Sequence, residues 1–353
     1  MTVIHDNSRY PSILADDIEV DPILDFDRYS DAIVNIVKGT EPKFTIGIYG
    51  EWGTGKSTLM KSIEEKRHDY IILTVWFNAW RYEREEHFAL IALIKTVAYA
   101  MEEHPIYKEL KPILLKGLRI FGKDFLRQVA SQFISEKGIE NFEKSLLPKM
   151  ELLSEMDKDT IYFDGINKIQ NEMQKIIQKY PKSRVVVFID DLDRCSPKTT
   201  VEVFESVKVF LGMEGFIYII GLSHDTISKL ISAQYKESGI KGDQYIKKII
   251  QIPITIQEWN IDDVKLLVQN LVNKNILHTR HREILEKNIN LIAKAVEHNP
   301  REVKRFINNF IVAHEMYSVD KNIKSEQLLV VQAIAIRWNN FYRIIINSAI
   351  SHL

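Results

Sequence analysis

Eight residues, Gly50-Glu51-Trp52-Gly53-Thr54-Gly55-Lys56-Ser57, follow an apolar β-leaning run from Phe44 to Tyr49 and open a helical pattern over Lys56 to Arg67. They match G-x-x-x-x-G-K-[ST], which needs this strand–turn–helix setting to carry meaning. Glycines let the main chain curl until several N–H groups converge on one anion, and the positive dipole end of the following helix faces the same point. The segment Gly50, Glu51, Trp52, Gly53, Thr54, Gly55, Lys56, Ser57 and Thr58 is therefore expected to cradle the phosphates of a nucleoside triphosphate. Lys56 would bridge the β- and γ-oxygens, the Ser57 hydroxyl would ligate Mg²⁺, and Thr58 would support the α-phosphate. A chance glycine-rich turn would lack the flanking strand and helix.

The rest of the chain fits that start. Ile71 to Phe77, Arg184 to Ile189, Phe216 to Leu222 and a stretch near Ile250 to Ile256 read as strands. Helical patterns lie between them, at Arg28 to Lys38, Glu85 to Glu103, Thr199 to Leu211 and Thr226 to Gln234. Continuous β-branched runs such as RVVVFI suit strands buried on both faces, and alternation with helices implies a parallel sheet. The expected fold is α/β: a three-layer α/β/α parallel sheet of the P-loop NTPase kind, with a helical insertion and a C-terminal helical bundle. The expected domains are 1–104 and 181–258 for the sheet, 105–180 for the insertion and 259–353 for the bundle.

A phosphate-binding loop needs a second acid at a neighbouring strand end. Asp190 and Asp191 follow the apolar run Val185 to Ile189. Asp190 is expected to hold the Mg²⁺ shell, and Asp191 to orient or deprotonate the attacking water; a solvated turn is the alternative for the pair. Because Ile71 to Phe77 falls between the two motifs, an extra strand is expected between the loop strand and the acid strand. That is the additional-strand, catalytic-acid arrangement. No N-K-x-D guanine-reading motif occurs, so ATP is favoured over GTP.

Charge and cysteine content narrow the partners. Lys+Arg 47 against Asp+Glu 48 gives a net charge of −1, which does not indicate a nucleic-acid binder, although a local patch stays open. Cys195 is the single cysteine, so no internal disulfide forms and a reducing cytoplasm is expected. Neither a signal peptide nor an apolar run of about 18 residues is found.

With these residues in place, the chain resembles the KAP-family P-loop NTPases, a group related to the STAND signalling ATPases. The resemblance rests on GEWGTGKST (Gly50 to Thr58), WFNAWRYEREEHFALIALI (Trp76 to Ile94) and VVVFIDDLDRC (Val185 to Cys195). YIKKIIQIPITI (Tyr245 to Ile256) and NPREVKRFINNF (Asn299 to Phe310) extend it over roughly Asp21 to Phe310. It implies Mg–ATP binding and hydrolysis to ADP and phosphate as a conformational switch, with a link in many members to membranes or to bacterial defence against phage. Many members also carry transmembrane helices between the two motifs; here Pro105 to Tyr180 is polar, so a peripheral membrane contact at most is expected.

The resemblance also suggests roles beyond the two motifs. Arg194 resembles an arginine that reaches a γ-phosphate, in cis or from a neighbouring subunit; a salt bridge to Asp191 or Asp193 is the alternative. Ser223-His224-Asp225 occupies a polar sensor position, or simply caps a helix. Asn299-Pro300-Arg301-Glu302 reads as a capped helix start, and Arg301 resembles a second sensor reaching the nucleotide; otherwise it lies on a solvated basic face with Arg305. Asn78 is a weaker candidate for touching the γ-phosphate or the water.

Other signals favour structure over chemistry. Trp76, Phe77, Trp80 and Tyr82 read as core and sheet-edge packing. His278 and His281 (HTRH) have metal-like spacing, but no cysteine or carboxylate cluster completes a site, and they read as a solvated charged helix. Lys108, Lys111, Lys116, Arg119, Lys123 and Arg127 interleave with Leu114, Leu118, Phe121, Phe125 and Leu126 as a basic amphipathic helical region docked on the protein itself, with a membrane surface or acidic partner as the alternative. Leu328 to Ile350 reads as core, with a partner interface as the alternative. The expected partners are ATP and a protein effector or a second copy of the chain. A nucleotide-holding scaffold that recruits an effector and a nucleic-acid-stimulated ATPase are the competing functions.

Overall fold

The computed structural model describes residues 13–15, 26–66, 69–83, 89–115, 158–210, 213–236, 239–273, 277–296, 299–317 and 323–350. Of the basic amphipathic run, Leu114 is buried and Lys111 pairs with Glu102, whereas its part from Lys116 to Arg127 and most of the expected insertion lie outside the described residues. By its contacts the chain divides into two compact units. One comprises residues 32–49 and 63–254; the other comprises residues 1–31, 50–62 and 255–353.

The first unit is built on five strands: β1 Phe44–Tyr49, β2 Ile72–Asn78, β3 Arg184–Asp190, β4 Phe216–Leu222 and β5 Ile252–Thr255. Their spatial order is β2-β3-β4-β1-β5. The β2/β3, β3/β4 and β4/β1 pairs are parallel, as the alternation of elements predicts. A strand does stand between the loop strand β1 and the acid strand β3, but it is β4; β2 takes the edge beyond β3. Chain order alone does not say where each crossover lands.

Every residue of β3 and β4 is buried, the pattern of strands covered on both faces. On one face Val185, Val187 and Ile189 pack into a core shared with α3 (Ala89–Glu102), α4 (Lys158–Lys179), α5 (Pro197–Phe210), α6 (His224–Gln234) and α7 (Gly242–Ile249). On the other, Val186 and Phe188 line a small cavity together with Val34 and Val37 of α1 (Phe26–Gly39) and Ile63 of α2 (Lys56–Lys66). Trp76 stacks on Phe188 with ring centres 4.9 Å apart, and Phe77 on Tyr82 at 5.1 Å, so these aromatics serve packing. Removing a fully buried ring such as Phe188 would cost about 3–5 kcal/mol. Arg184 donates from Nη1 to the carbonyls of Val37 and Thr40, which ties the end of α1 to the start of β3.

The second unit has a helical core from α8 Ile261–Asn273, α9 Thr279–Lys287, α10 Ile289–Ala295, α11 Pro300–Tyr317 and α12 Ser325–Arg337. Phe306, Ile307 and Phe310 repeat at helical spacing along α11 and are completely buried. Residues 13–15 lie along the same helix, with Leu14 N–H and C=O both bonded to the Asn308 amide.

Two expectations fail in this unit. His281 is fully buried, because its helix turns it onto Phe310 and His314 instead of into solvent. Among the described residues of the C-terminal stretch, Leu329 and Ala333 are buried and Leu328 and Ile336 pack partly buried against the same core, but in α13 (Asn339–Ile350) Phe341, Ile344 and Ile345 are exposed. No helix among the described residues is long and apolar enough to cross a membrane.

Candidate functional site

The phosphate-loop residues belong to the second unit, and their geometry comes from glycine. Gly53 and Gly55 have φ of +85° and +107°, left-handed values that side chains rarely adopt. A Cβ on Gly55 would also press on the Phe26 ring at 2.9 Å, and one on Gly53 would meet Asn299 and Arg301. Thr54 closes the turn by donating from both N–H and Oγ1 to the Glu51 carbonyl, the hydroxyl at 2.8 Å. Lys56 is buried, and its ammonium folds back to donate to the carbonyls of Gly50 and Glu51 at 3.0 and 3.1 Å. Its charge is thus held against the loop. Helix α2 begins at Lys56, so Ser57 and Thr58 sit in its first turn, where N–H groups have no carbonyl partner in the helix.

Three side chains far along the sequence hold this loop. Asn299 Nδ2 donates to the Trp52 carbonyl at 2.7 Å, while its Oδ1 accepts from Arg301 N–H at 2.9 Å. One side chain therefore caps α11 and grips the loop. Arg301 lies over the Trp52 indole, its Cζ 4.7 Å from the ring centre. Trp259, itself buried, donates from Nε1 to the Thr54 carbonyl at 3.2 Å. The cap and Arg301 are legible in sequence, whereas the hold of Asn299 and Trp259 on the loop is not.

In the first unit the acid pair ends β3. Asp190 is buried, its carbonyl accepts from Ala79 N–H, and its Oδ1 accepts from Asp191 N–H at 2.9 Å. Asp191 has a φ of +57°, left-handed backbone that aspartate tolerates better than most residues. Both its oxygens are engaged: Oδ2 accepts from Asn78 Nδ2 at 2.7 Å, and Oδ1 lies 2.7 Å from Arg194 Nε.

A family model described as the KAP family P-loop domain matches residues 26–317. The chain belongs to the KAP family. Among curated proteins, this KAP chain is 27% identical over 156 residues to the Kinase D-interacting substrate of 220 kDa of Rattus norvegicus, covering 43% of the chain and 8% of that protein. It is 19% identical over 247 residues to the Phage T7 exclusion protein of Escherichia coli (strain K12), covering 64% of the chain and 31% of that protein. The chain thus spans under a third of each relative. Among solved structures, the Aeropyrum pernix ORC2 protein in its ADPNP-ADP complexes superposes with a TM-score of 0.45 at 11% identity, covering 91% of this chain and 71% of that one.

The remaining candidates of the KAP domain sit as follows. Arg194 makes the ion pair with Asp191 and lays its guanidinium over Trp80, 5.2 Å from the ring centre. Arg301 stacks on Trp52, and it is Arg305 that lies exposed, paired with Glu302 at 2.9 Å. Ser223 stands at the N-cap position of α6, yet its hydroxyl bonds Thr226 Oγ1 at 3.0 Å and caps no backbone N–H. His224 lies beside the Tyr49 ring at 5.3 Å and 3.8 Å from Asp243. Burial, with Glu83, Asp191 and Asp193 nearby, pushes the Cys195 thiol up to about 12, so it stays protonated and inert.

Proposed function

We propose that this KAP domain binds Mg–ATP and hydrolyses it to ADP and phosphate, using the cycle as a conformational switch. The observation that carries the reading is the loop itself: left-handed Gly53 and Gly55, with the Lys56 ammonium folded onto the Gly50 and Glu51 carbonyls. Such a cradle offers a polyanion converging N–H groups, a helix dipole and a mobile cation. In this reading the main chain of Gly50 to Thr58 takes the phosphates, and Lys56 leaves its two carbonyls to bind β- and γ-oxygens. Ser57 and Asp190 supply hard oxygen ligands of the kind Mg²⁺ prefers. When bound, the ion neutralises charge on the phosphates. Asp191 positions the attacking water and takes its proton, with Asn78 fixing its carboxylate and Arg194 available to developing charge. Arg301 reports on the loop through Trp52.

A phosphate-release assay tests this. Wild type should turn over Mg–ATP, and Asp191→Asn should bind ATP with almost no turnover. Wild-type turnover in that variant would refute the role given to Asp191.

A second reading, a nucleotide-holding scaffold that recruits a protein effector or a second copy of the chain, draws support from the full engagement of both Asp191 oxygens. A wild type that binds ATP without releasing phosphate, with or without candidate partners, would favour it. A nucleic-acid-stimulated ATPase requires a rate increase with added DNA or RNA. We place the protein in the cytoplasm. Defence against phage is the setting suggested by the relative named Phage T7 exclusion protein; plating efficiency with and without expression checks it.

A further inference from the structure

The helical unit contains a cluster that nucleotide chemistry does not use. His281 on α9 and His314 on α11 are 0% and 5% exposed, and their rings meet edge to face at 5.0 Å. Glu315 follows His314, and its Oε1 lies 2.9 Å from His281 Nε2 and 3.7 Å from His314 Nδ1. One donor atom from each of the three falls within 4.8 Å of the others. An ionised carboxylate only accepts, so the proton between His281 and Glu315 rides on Nε2. Nδ1 of His281 is then a buried lone pair without a hydrogen-bond partner, and His314 Nδ1 is likewise buried and unpartnered. An unsatisfied buried polar group costs about 1–3 kcal/mol. Packing against Phe310 explains the shape of the rings but not a buried, unpartnered His314 Nδ1 that lies 3.7 Å from the carboxylate oxygen His281 Nε2 also reaches.

We propose that His281, His314 and Glu315 bind a divalent transition-metal ion of the zinc class. Two imidazoles and one carboxylate form a nitrogen-rich donor set suited to Zn²⁺ and its neighbours, whereas Mg²⁺ and Ca²⁺ want oxygen alone. Both rings are buried away from competing water, while the Glu315 side chain is 31% exposed, which leaves a path for the ion and a position for a water ligand. The Arg280 guanidinium, also on Glu315 Oε1, orients the carboxylate from outside the ligand shell. Binding needs no redox step: the ion takes nitrogen and oxygen lone pairs, and the Nε2 proton moves to the ring's other nitrogen or to solvent. The ion would staple α9 to α11, residues 33–34 positions apart, within the unit that also carries Asn299 and Arg301.

The test uses the full chain without a polyhistidine tag, stripped by chelator and free of nucleotide. Zn²⁺ is titrated against a chromophoric chelator, and Co²⁺ is added separately as a spectroscopic probe. One equivalent of Zn²⁺ should bind, undisturbed by millimolar Mg²⁺, and Co²⁺ should give intense visible absorption. Glu315→Gln and His314→Gln should weaken Zn²⁺ at least tenfold and bleach the Co²⁺ bands. Removing buried His281 can unfold the helices, so Glu315→Gln, at the exposed edge, is the deciding variant. Absence of Zn²⁺ binding by wild type, or equal affinity in wild type and both variants, overturns the proposal.

Discussion

The loop from Gly50 to Ser57 and the acid pair at the end of β3 are held in opposite ways. The loop depends on main-chain geometry, two left-handed glycines and carbonyls gripped by Asn299 and Trp259, more than 200 positions away. The acid pair depends on side-chain charge and hydrogen bonds: Asp191 is pinned between Asn78 and Arg194, the latter only three residues on. Backbone cradles tolerate little change of residue type, because a Cβ where none fits moves the chain itself. Ion pairs can be loosened one partner at a time.

Substitutions can break that contrast, beginning with the largest effect. Asp191→Asn should lower kcat by about 10²–10⁴, the usual contribution of a general base, while ATP affinity stays within a few-fold of wild type. Gly55→Ala should weaken ATP binding more than tenfold in a titration, because its φ of +107° and the Phe26 ring leave no room for a methyl group. Asn78→Ala should cost about tenfold in kcat with KM little changed, since it removes orientation and not binding. Asn299→Ala should destabilise the helical unit by about 1–2 kcal/mol in denaturant unfolding, through loss of the α11 cap, and should loosen the loop.

Acid should separate the two regions with the smallest effect. Burial lowers the pKa of His281 and His314 below the ordinary 6.5, each ring also facing Arg280, which lowers it, and Glu315, which raises it. Below pH 6.5 the unfolded chain therefore takes up protons that the folded chain refuses, so stability present above 6.5 declines as pH falls. In chelator, thermal melting should show stability falling as pH drops below 6.5. His281→Gln, if folded, should flatten the slope.

How much of this was legible in the sequence follows from how local each feature is. The P-loop and the β3 acids are contiguous strings whose residue types dictate their backbone, so both could be read directly. The parallel sheet was legible from alternation, but β4 as the strand beside β1 was not, because a crossover of any length can skip a neighbour. Asn299 was readable as a cap; its second bond, to Trp52, depends on how α11 packs. HTRH looks solvated in sequence because the partners of His281 stand 33 and 34 residues later. The usable signal was His314-Glu315 inside the otherwise apolar FIVAHEMY, a polar pair on a helix whose face had to be buried. The exposed apolar residues of α13 read as core in sequence because composition does not reveal which face finds a partner.

The central claim is that the Gly50–Ser57 cradle, with Lys56 released from its own carbonyls, grips a magnesium-bound triphosphate. Calorimetric titration of the full chain with Mg–ATP, beside Lys56→Ala, addresses it most directly. Saturable one-to-one binding by wild type and at least 100-fold weaker binding by the variant is the expected outcome. Equal heats from the two proteins, or none from wild type, would contradict it.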